Sequence, residues 1–481
     1  MAGPDRLTEA IELHQQGALG EAAQLYQEVL DADPENADAW HLLGVAAHQQ
    51  GKNDLALSLI TNAIGLNGEV ADFHNNLGQV NRALGEDETA DKNYRRALEI
   101  NPAHVKALNN LAGLLRTTGQ FSAAVDYARR AVQAGPEDPE THNNLGNALK
   151  DVTWLEDAVQ SYRRAIALRP DYALAHWNLS LALLSLGQYE EGFQEMRWRW
   201  RWAGFPARAR EFAQPHMEDE AELTGKTVLL HAEQGLGDTI HFIRYAALLR
   251  QNNMRVVFEC PGALMALLEG TDLVDELVCA GDALPEFDAH AALLDLPALL
   301  QNQTSPLPAE MPYLAVPTPT ADKWRDIVNE QPGYKVGLNW SGNPKSPVEK
   351  FRALPPDELN TLAELQGVTW FSLQKAENQA DVPALPTGFP IIDTGPEALV
   401  ETAGLIQTLD LVITSDTAIA HLAGALGKPV WVLLHHAPDW RWQSEGRDSS
   451  WYPTARLFRQ SQPGQWVEVF SDVSAALKKT L

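Results

Sequence analysis

The run HAEQGLGDTI, residues 231–240, places a carboxylate, Asp238, directly after two glycines. An apolar stretch, Thr227–Ala232, leads into Gly235-Leu236-Gly237, and a helical pattern follows. A glycine loop at a helix start is the usual seat for phosphate, because free backbone N–H groups and the positive end of the helix dipole lie there. A carboxylate does not suit that role. It suits the removal of a proton from a hydroxyl, with Gly235 and Gly237 letting a substrate come close. The plainer alternative makes Asp238 the N-cap of the helix.

A better phosphate seat stands in ITSDTAIAHLAGALGKPVWVLL, residues 413–434. Leu411–Thr414 reads as a strand, Ser415-Asp416-Thr417 opens a helix, and Thr417 and Ala418 can offer backbone N–H groups to an anion. His421, one turn on, is expected at the accessible end of that helix, against the alternative of a packed core histidine. A third loop, NWSGNPKSPVEKFRALP, adds polar residues including Ser341 and Asn343 after another strand. In DWRW, Asp439–Trp442, the Trp pair can wall a cleft or stack on a sugar, and Arg441 can hold an anionic group. Plain packing is the alternative for these residues. His435-His436 has no third ligand at sensible spacing, so no metal is expected.

The elements that must position these loops are short β-like runs alternating with helical stretches, an α/β pattern with parallel sheets. The first series is Thr227–Ala232, Arg255–Cys260, Ala291–Asp295 and Tyr313–Val316. The second is Lys335–Trp340, Val368–Leu373, Ile391–Asp393, Leu411–Thr414 and Pro429–Leu434. We read two α/β units, residues 225–318 and 319–481, with the site in the cleft at the carboxyl ends of their strands.

The first 200 residues follow another rule. Gly17, Gly51, Gly85, Gly119 and Gly187 lie on one 34-residue grid, with Thr153 in the remaining slot. Ala22, Ala56, Ala90, Ala124 and Ala158 share the spacing, as do Pro34, Pro102, Pro136 and Pro170, with Gly68 in the vacant place. The period and residues such as Leu77-Gly78, Tyr94, Ala97 and Pro102 resemble the tetratricopeptide repeat. Residues 3–202 then form an all-α solenoid of five full repeats and one partial repeat, with a concave binding face. Asn76, Asn110, Asn144 and Asn178 also stand 34 apart. Their amides can hold a peptide backbone without reading its sequence, as a similar ladder does in the eukaryotic O-GlcNAc transferases as a family. The alternative is hydrogen bonding between repeats. RWRWRW, Arg197–Trp202, reads as a continuation of the last helix with Arg stems along Trp rings, packed against the next domain. Residues 203–224 are the linker.

Residues 226–470 resemble the two-Rossmann (GT-B) glycosyltransferases, and are similar to the ADP-heptose:lipopolysaccharide heptosyltransferases of glycosyltransferase family 9. The resemblance implies that Asp238 is the catalytic aspartate on the acceptor side. It implies that Asp416, Thr417 and His421 belong to the segment that binds the donor's diphosphate and sugar. Ala418 replaces a glycine of that motif but keeps its backbone N–H. Ser341, Asn343, Ser415 and one of Lys350 and Arg352 join them on the nucleotide-sugar side. The layout resembles bacterial repeat-plus-transferase proteins that glycosylate flagellin. The implied activity moves a sugar from a nucleotide-sugar donor to a protein acceptor recruited by the repeats. No cofactor is implied beyond the nucleotide sugar as substrate. A repeat scaffold without chemistry, or a transferase acting on saccharide or lipid-linked acceptors with the repeats serving self-association, are the rival readings.

Composition sets the outer bounds. The chain of 481 residues carries 64 acidic against 37 basic residues, a formal charge of −27. That opposes non-specific binding to nucleic acid or anionic membrane. The first residues lack an apolar run, so no signal peptide is expected, and no stretch is long and apolar enough to span a membrane. Two cysteines exclude a disulfide framework. A cytoplasmic protein is expected.

Overall fold

The structure is a computed structural model that describes residues 3–218, 223–300, 311–374, 383–394 and 398–481. By its internal contacts the chain divides into two compact units, Met1–Ala175 and His176–Leu481.

The first unit holds five helix pairs in chain order. They are α1 (Gly3–Gln15) and α2 (Leu19–Ala32), α3 (Ala37–Gln49) and α4 (Asn53–Leu66), α5 (Ala71–Ala83) and α6 (Asp87–Ile100), α7 (Val105–Thr117) and α8 (Phe121–Ala134), and α9 (Pro139–Asp151) and α10 (Leu155–Leu168). The 34-residue grid has a physical meaning in each pair. Gly17, Gly51, Gly85 and Gly119 all take positive φ, 76–81°, where the chain turns from first to second helix. Thr153 occupies the same slot at φ 61°. The five alanines of the grid are fully buried, which lets the paired helices approach closely. Ion pairs repeat across the array as well: Arg96 reaches Glu69 at 2.5 Å, and Arg164 reaches Glu137 at 2.8 Å, each spanning 27 residues.

A sixth pair, α11 (Ala173–Ser185) and the shorter α12 (Tyr189–Met196), runs across the division and into the second unit. RWRWRW continues α12 as a 3-10 turn, Arg197–Arg201, as the expectation of a continued helix required. The guanidiniums of Arg199 and Arg201 lie over the Trp200 and Trp198 rings at 4.4 and 4.5 Å.

Two parallel sheets follow. The first contains β1 (Thr227–His231), β2 (Arg255–Cys260), β3 (Glu276–Cys279) and β4 (Ala289–Ala292) in the order β3-β2-β1-β4. Its helices include α13 (Leu236–Phe242), α14 (Ala246–Gln251), α15 (Met265–Leu268) and α16 (Leu296–Leu299). Helix α17 (Thr318–Asn329) leads to the second sheet. This holds β5 (Tyr334–Asn339), β6 (Val368–Ser372), β7 (Ile391–Ile392), β8 (Leu411–Ser415), β9 (Val430–Leu434) and β10 (Ala455–Arg459), in the order β10-β9-β8-β5-β6-β7. Helices α18 (Glu349–Arg352), α19 (Pro356–Ala363), α20 (Leu399–Thr408), α21 (Ala418–Ala425) and α22 (Trp466–Lys478) accompany it. Its two faces enter different apolar clusters: Val412, Val430 and Val432 with α20 and α21, and Leu411, Ile413 and Leu433 with α19 and α22. Burial on both sides explains the near-continuous apolar strands.

The expected strand set needs correction in the first sheet. The strand expected at Ala291–Asp295 lies at Ala289–Ala292, and Leu293–Asp295 turn as a 3-10 helix. Tyr313–Val316 is no strand. It lies between Pro312 and Pro317, and the Tyr313 N–H bonds to Ala425 O at 3.0 Å instead of a ladder partner. Strands β3 and β10 were not anticipated. Among the described residues no helix is long and apolar enough to cross a membrane.

Thr153 is a β-branched residue in a left-handed conformation, a costly position for any side chain. Thr153→Gly should raise the stability of the array by about 0.5–1 kcal/mol, the strain relieved less the entropy glycine adds to the unfolded chain. A higher urea midpoint at unchanged slope would show it, and an unchanged or lower midpoint would contradict it.

Candidate active site

The loop after β1 ends in a helix whose N-cap is Gly235, so Asp238 is the third helical residue and not the cap. From there its carboxylate reaches back to the Gly235 backbone N–H, as acidic residues at this position do. Helix α13 packs its start against the start of α21. A Cβ on Gly237 would lie 3.0 Å from His421 Cδ2 and 3.4 Å from Ala418 Cα, so the two helix starts pack closely here. The glycine loop and the Ser-Asp-Thr loop, 180 residues apart in sequence, are therefore one place.

Arg441 lies beside them. Its Nη2 donates to Asp238 Oδ1 at 2.5 Å and its Nη1 to Asp439 Oδ1 at 2.9 Å. The guanidinium is buried over the Trp440 ring at 4.5 Å, and its Nε has no hydrogen-bond partner among the described residues. Burial raises the proton affinity of Asp238 above the ordinary carboxylate range, and the Arg441 charge opposes that rise.

The second sheet supplies the rest. At the end of β5, Asn339 Oδ1 accepts from Thr414 Oγ1 at 3.0 Å and from Thr417 Oγ1 at 2.9 Å. Its Nδ2 donates to Gln374 Oε1 at 3.1 Å, and that oxygen also accepts from the Ser341 N–H at 3.0 Å. One amide thus fixes the Ser341 loop to the start of α21. Thr417 caps that helix by accepting from Ile419 N. The Ala420 N–H is bonded to Thr417 O, while the Ala418 N–H has no partner among the described residues. Arg352 Nε donates to Glu349 Oε2 at 2.7 Å, and Glu349 Oε1 accepts from the Gly342 N–H at 2.6 Å. Asp416 is buried and accepts from Trp442 Nε1 at 2.7 Å. Burial, with Asp439 nearby, pushes its carboxyl up to about 6.

Several expected residues sit differently from the reading of the sequence. His421 is 6% exposed rather than on an accessible helix end. Its Nδ1 lies 2.9 Å from the Tyr452 hydroxyl and its ring stacks on Trp442, and burial keeps it neutral. Trp440 is 4% exposed among Phe193, His241 and Trp451, so it offers no face to a sugar. Lys350 is exposed, with its ammonium 5.1 Å from the Phe351 ring, while Arg352 joins the cluster. Asn343 is exposed and its side chain accepts from the Lys345 N–H in a turn. Ser415 is buried with its Oγ lacking a partner among the described residues. Asn76 and Asn110 take part in bonds between repeats: Asn76 with His41 at 2.8 Å, and Asn110 to Asn75 at 2.9 Å. Asn144 is half-buried on α9, and Asn178 lies buried on α11, in the second unit.

Residues 347–443 match the glycosyltransferase family 9 (heptosyltransferase) model, and residues 11–51, 69–137 and 155–191 match tetratricopeptide-repeat models. The chain joins tetratricopeptide repeats to a glycosyltransferase family 9 domain. The family match contains Arg352, Asp416, Thr417, His421 and Arg441. It ends short of Asp238, whose place in the site rests on the contacts above. The chain is similar to Protein FlbA of Caulobacter vibrioides, 24% identical over 323 residues that cover 61% of this chain and 53% of FlbA. It therefore spans about half the length of that curated relative. Similar solved structures include YrrB, a TPR protein described as having an unusual peptide-binding site (22% identity, 36% of this chain, 90% of YrrB, TM-score 0.30). Another is the thermophilic TPR protein TTC0263 of Thermus thermophilus (18% identity, 38% of this chain, all of TTC0263, TM-score 0.35).

The glycosyltransferase domain contains one cluster that the sequence reading missed. Arg199, in the RWRWRW turn, is fully buried and forks two carboxylates. Its Nε donates to Glu233 Oε1 at 2.9 Å and its Nη1 to Asp295 Oδ1 at 2.7 Å. Trp200 Nε1 also donates to Asp295, at 3.1 Å. Glu233 lies in the Asp238 loop itself, five residues before that aspartate. The only sequence signals were an acid beside the glycines and an arginine in an aromatic run. Burial would raise both carboxyls, but Arg199, His216 and Trp200 together hold Asp295 well below the usual range. Glu233, with its Oε2 buried and unpartnered among the described residues, is pushed up to about 7 by burial.

A carboxyl raised in the folded state stabilises the protein below its unfolded pKa and loses that contribution as pH rises through the folded pKa. Glu233 should therefore withdraw up to about 3 kcal/mol of stability between pH ~4.5 and ~7. Glu233→Gln should flatten that part of the stability–pH curve relative to the parent. Parallel curves for the two proteins would show that Glu233 titrates normally.

Proposed function

We propose that the chain transfers a sugar from a nucleotide-sugar donor to a protein acceptor recruited by the repeat array. The observation that carries this reading is the meeting of the Asp238 loop with the start of α21. It sets a candidate base beside a candidate phosphate seat, and the second of these lies within the family 9 match. The two parallel sheets, each with its loops at strand ends, suit a GT-B arrangement with the acceptor on the first and the donor on the second.

In the proposed reaction an acceptor hydroxyl oxygen bonds to the anomeric carbon. The bond from that carbon to the diphosphate breaks, its electron pair leaving with the nucleoside diphosphate. Asp238 takes the hydroxyl proton. The Ala418 N–H, the dipole of α21 and Arg352 stabilise the negative charge gathering on the leaving group. His421, held by Tyr452 and Trp442, shapes the donor side of the junction at Gly237. The scheme uses no metal ion. A cytoplasmic site, where nucleotide sugars are made, fits the reading. Flagellin is the acceptor suggested by the repeat-plus-transferase layout, which is an argument from analogy.

A thermal-shift series with UDP-, GDP-, ADP- and CMP-sugars tests donor binding, since a ligand of the folded state raises its melting temperature. We expect one nucleotide class to stand out, and no shift with any would overturn the reading. With that donor, Asp238→Asn should lower turnover by roughly a hundredfold or more while donor affinity stays close to the parent's. An unchanged rate would remove Asp238 from the chemistry.

The Asn ladder is the proposed grip on the acceptor's backbone. Replacing Asn76, Asn110, Asn144 and Asn178 by Ala should weaken transfer to protein strongly and leave hydrolysis of the donor nearly unchanged. It should also lower the melting temperature, because Asn76 and Asn110 tie repeats together. A folded quadruple variant that modifies protein at the parent's rate would assign the ladder to structure alone.

A further inference from the structure

Asp238 is assigned the part of a base, yet the oxygen that would take a proton accepts a charged hydrogen bond from Arg441 at 2.5 Å. Beside that charge the carboxylate is less basic than burial alone would make it. Arg441 itself is more than nine-tenths buried, between Asp238 and Asp439 and within the field of Asp416. One guanidinium thus pairs with two carboxylates and feels a third, and its Nε has no partner among the described residues.

The turn that carries Arg441 is strained. Gln443 stands at φ 57° and ψ 178°, a region used almost only by glycine. It is held there from outside. Arg459 donates to the carbonyls of Trp442, Gln443 (2.9 Å) and Gly446 (2.8 Å), and Gln443 Nε2 donates to the Tyr189 hydroxyl at 3.1 Å. Backbone strain is thus stored two residues from the buried arginine. The start of α21, with its Ala418 N–H, meets the Asp238 loop at Gly237, and Arg441 reaches the next residue of that loop.

We propose that Arg441 switches between two anions: it holds Asp238 until the diphosphate of a nucleotide ligand seats at the start of α21, then moves to the phosphate oxygens and frees Asp238 to act as base. The proposal rests on the glycosyltransferase reading of this site. A phosphate presents the planar fork of arginine with more charge and more acceptor oxygens than one carboxylate does. The switch ties activation of the base to the presence of donor, so the acceptor hydroxyl is engaged only when there is a sugar to receive.

The switch has a signature that needs no acceptor. Freed of its cation but still buried, Asp238 gains proton affinity: at about pH 6.5 seating the diphosphate takes up a fraction of a proton, and at higher pH the freed carboxylate stays ionised and is the stronger base. The other charged or titratable groups around it are accounted for. Arg441 and Asp439 come from the turn, Asp416 from the end of β8, and Arg352, paired with Glu349, from α18. His241 of α13 and His421 of α21, near buried Arg244 and Tyr452, are both kept neutral by burial.

Calorimetric titration of the full chain with ADP, GDP, UDP and inorganic pyrophosphate at about pH 6.5, in buffers of differing ionisation enthalpy, counts the protons exchanged. The parent should take up a substantial fraction of a proton beyond what Asp238→Asn takes up with the same ligand. Uptake shared by both belongs to Asp416 and the phosphates. Arg441→Lys, which keeps the charge but loses the fork, should bind roughly tenfold more weakly and lose most of the difference. Equal uptake by the parent and Asp238→Asn overturns the switch and leaves the donor reading standing. A folded parent that binds none of the four ligands overturns the donor reading, and the switch falls with it.

Discussion

The starts of α13 and α21 meet at Gly237, where an added Cβ would crowd the His421 ring at 3.0 Å and touch the Ala418 backbone at 3.4 Å. That approach sets the carboxylate of one loop beside the helix start of another, and Arg441 reaches across to Asp238. Each sheet contributes a loop at the carboxyl end of a central strand, the ordinary position for ligand contacts in parallel α/β structures. The close contact makes one site of the two.

Charge within the site is unevenly shared. Asp238, Asp416, Asp439 and Glu349 face Arg441 and Arg352, so carboxylates outnumber cations in a region of low dielectric. Burial meets that excess by raising proton affinity, most clearly at Asp416 and, on the other side of the loop, at Glu233. An incoming diphosphate therefore does not find a field of spare positive charge. In the proposed donor reading it finds, among the described residues, the Ala418 N–H, a helix dipole and two arginines already engaged, and its binding rearranges pairs as well as forming them.

The repeat array could be read from the sequence almost residue by residue, because its constraints are local and recur. A positive φ is needed every 34 residues, and even the exception, Thr153, takes the conformation its slot demands. The loops at the strand ends were legible because polar residues there have no structural reason to follow apolar runs. Contacts across long stretches of chain were not. Nothing in the order of residues shows that Arg199 closes on Glu233 and Asp295, 34 and 96 positions away. The burial of His421 and Trp440 was hidden for a related reason. Whether a helix face or a tryptophan is covered depends on what packs over it, here Trp442 and Tyr452 for one and Phe193 and Trp451 for the other. Tyr313–Val316 misled through its composition: apolar residues between prolines look like a strand and serve as a packed crossing.

Arg199 also changes what counts as a part of this molecule. By pattern it belongs to the tail of the repeats, and a cut in the acidic, proline-bearing stretch after residue 202 looks like the natural seam. By contact the compact second unit begins at His176, inside the sixth helix pair. A fragment starting at 203 would carry Glu233 and Asp295 in its interior with the guanidinium that pairs with them left behind. The second compact unit therefore takes in the end of the repeat pattern. Recombination that respected only the repeat boundary would deliver a domain without the arginine that closes on Glu233 in the Asp238 loop.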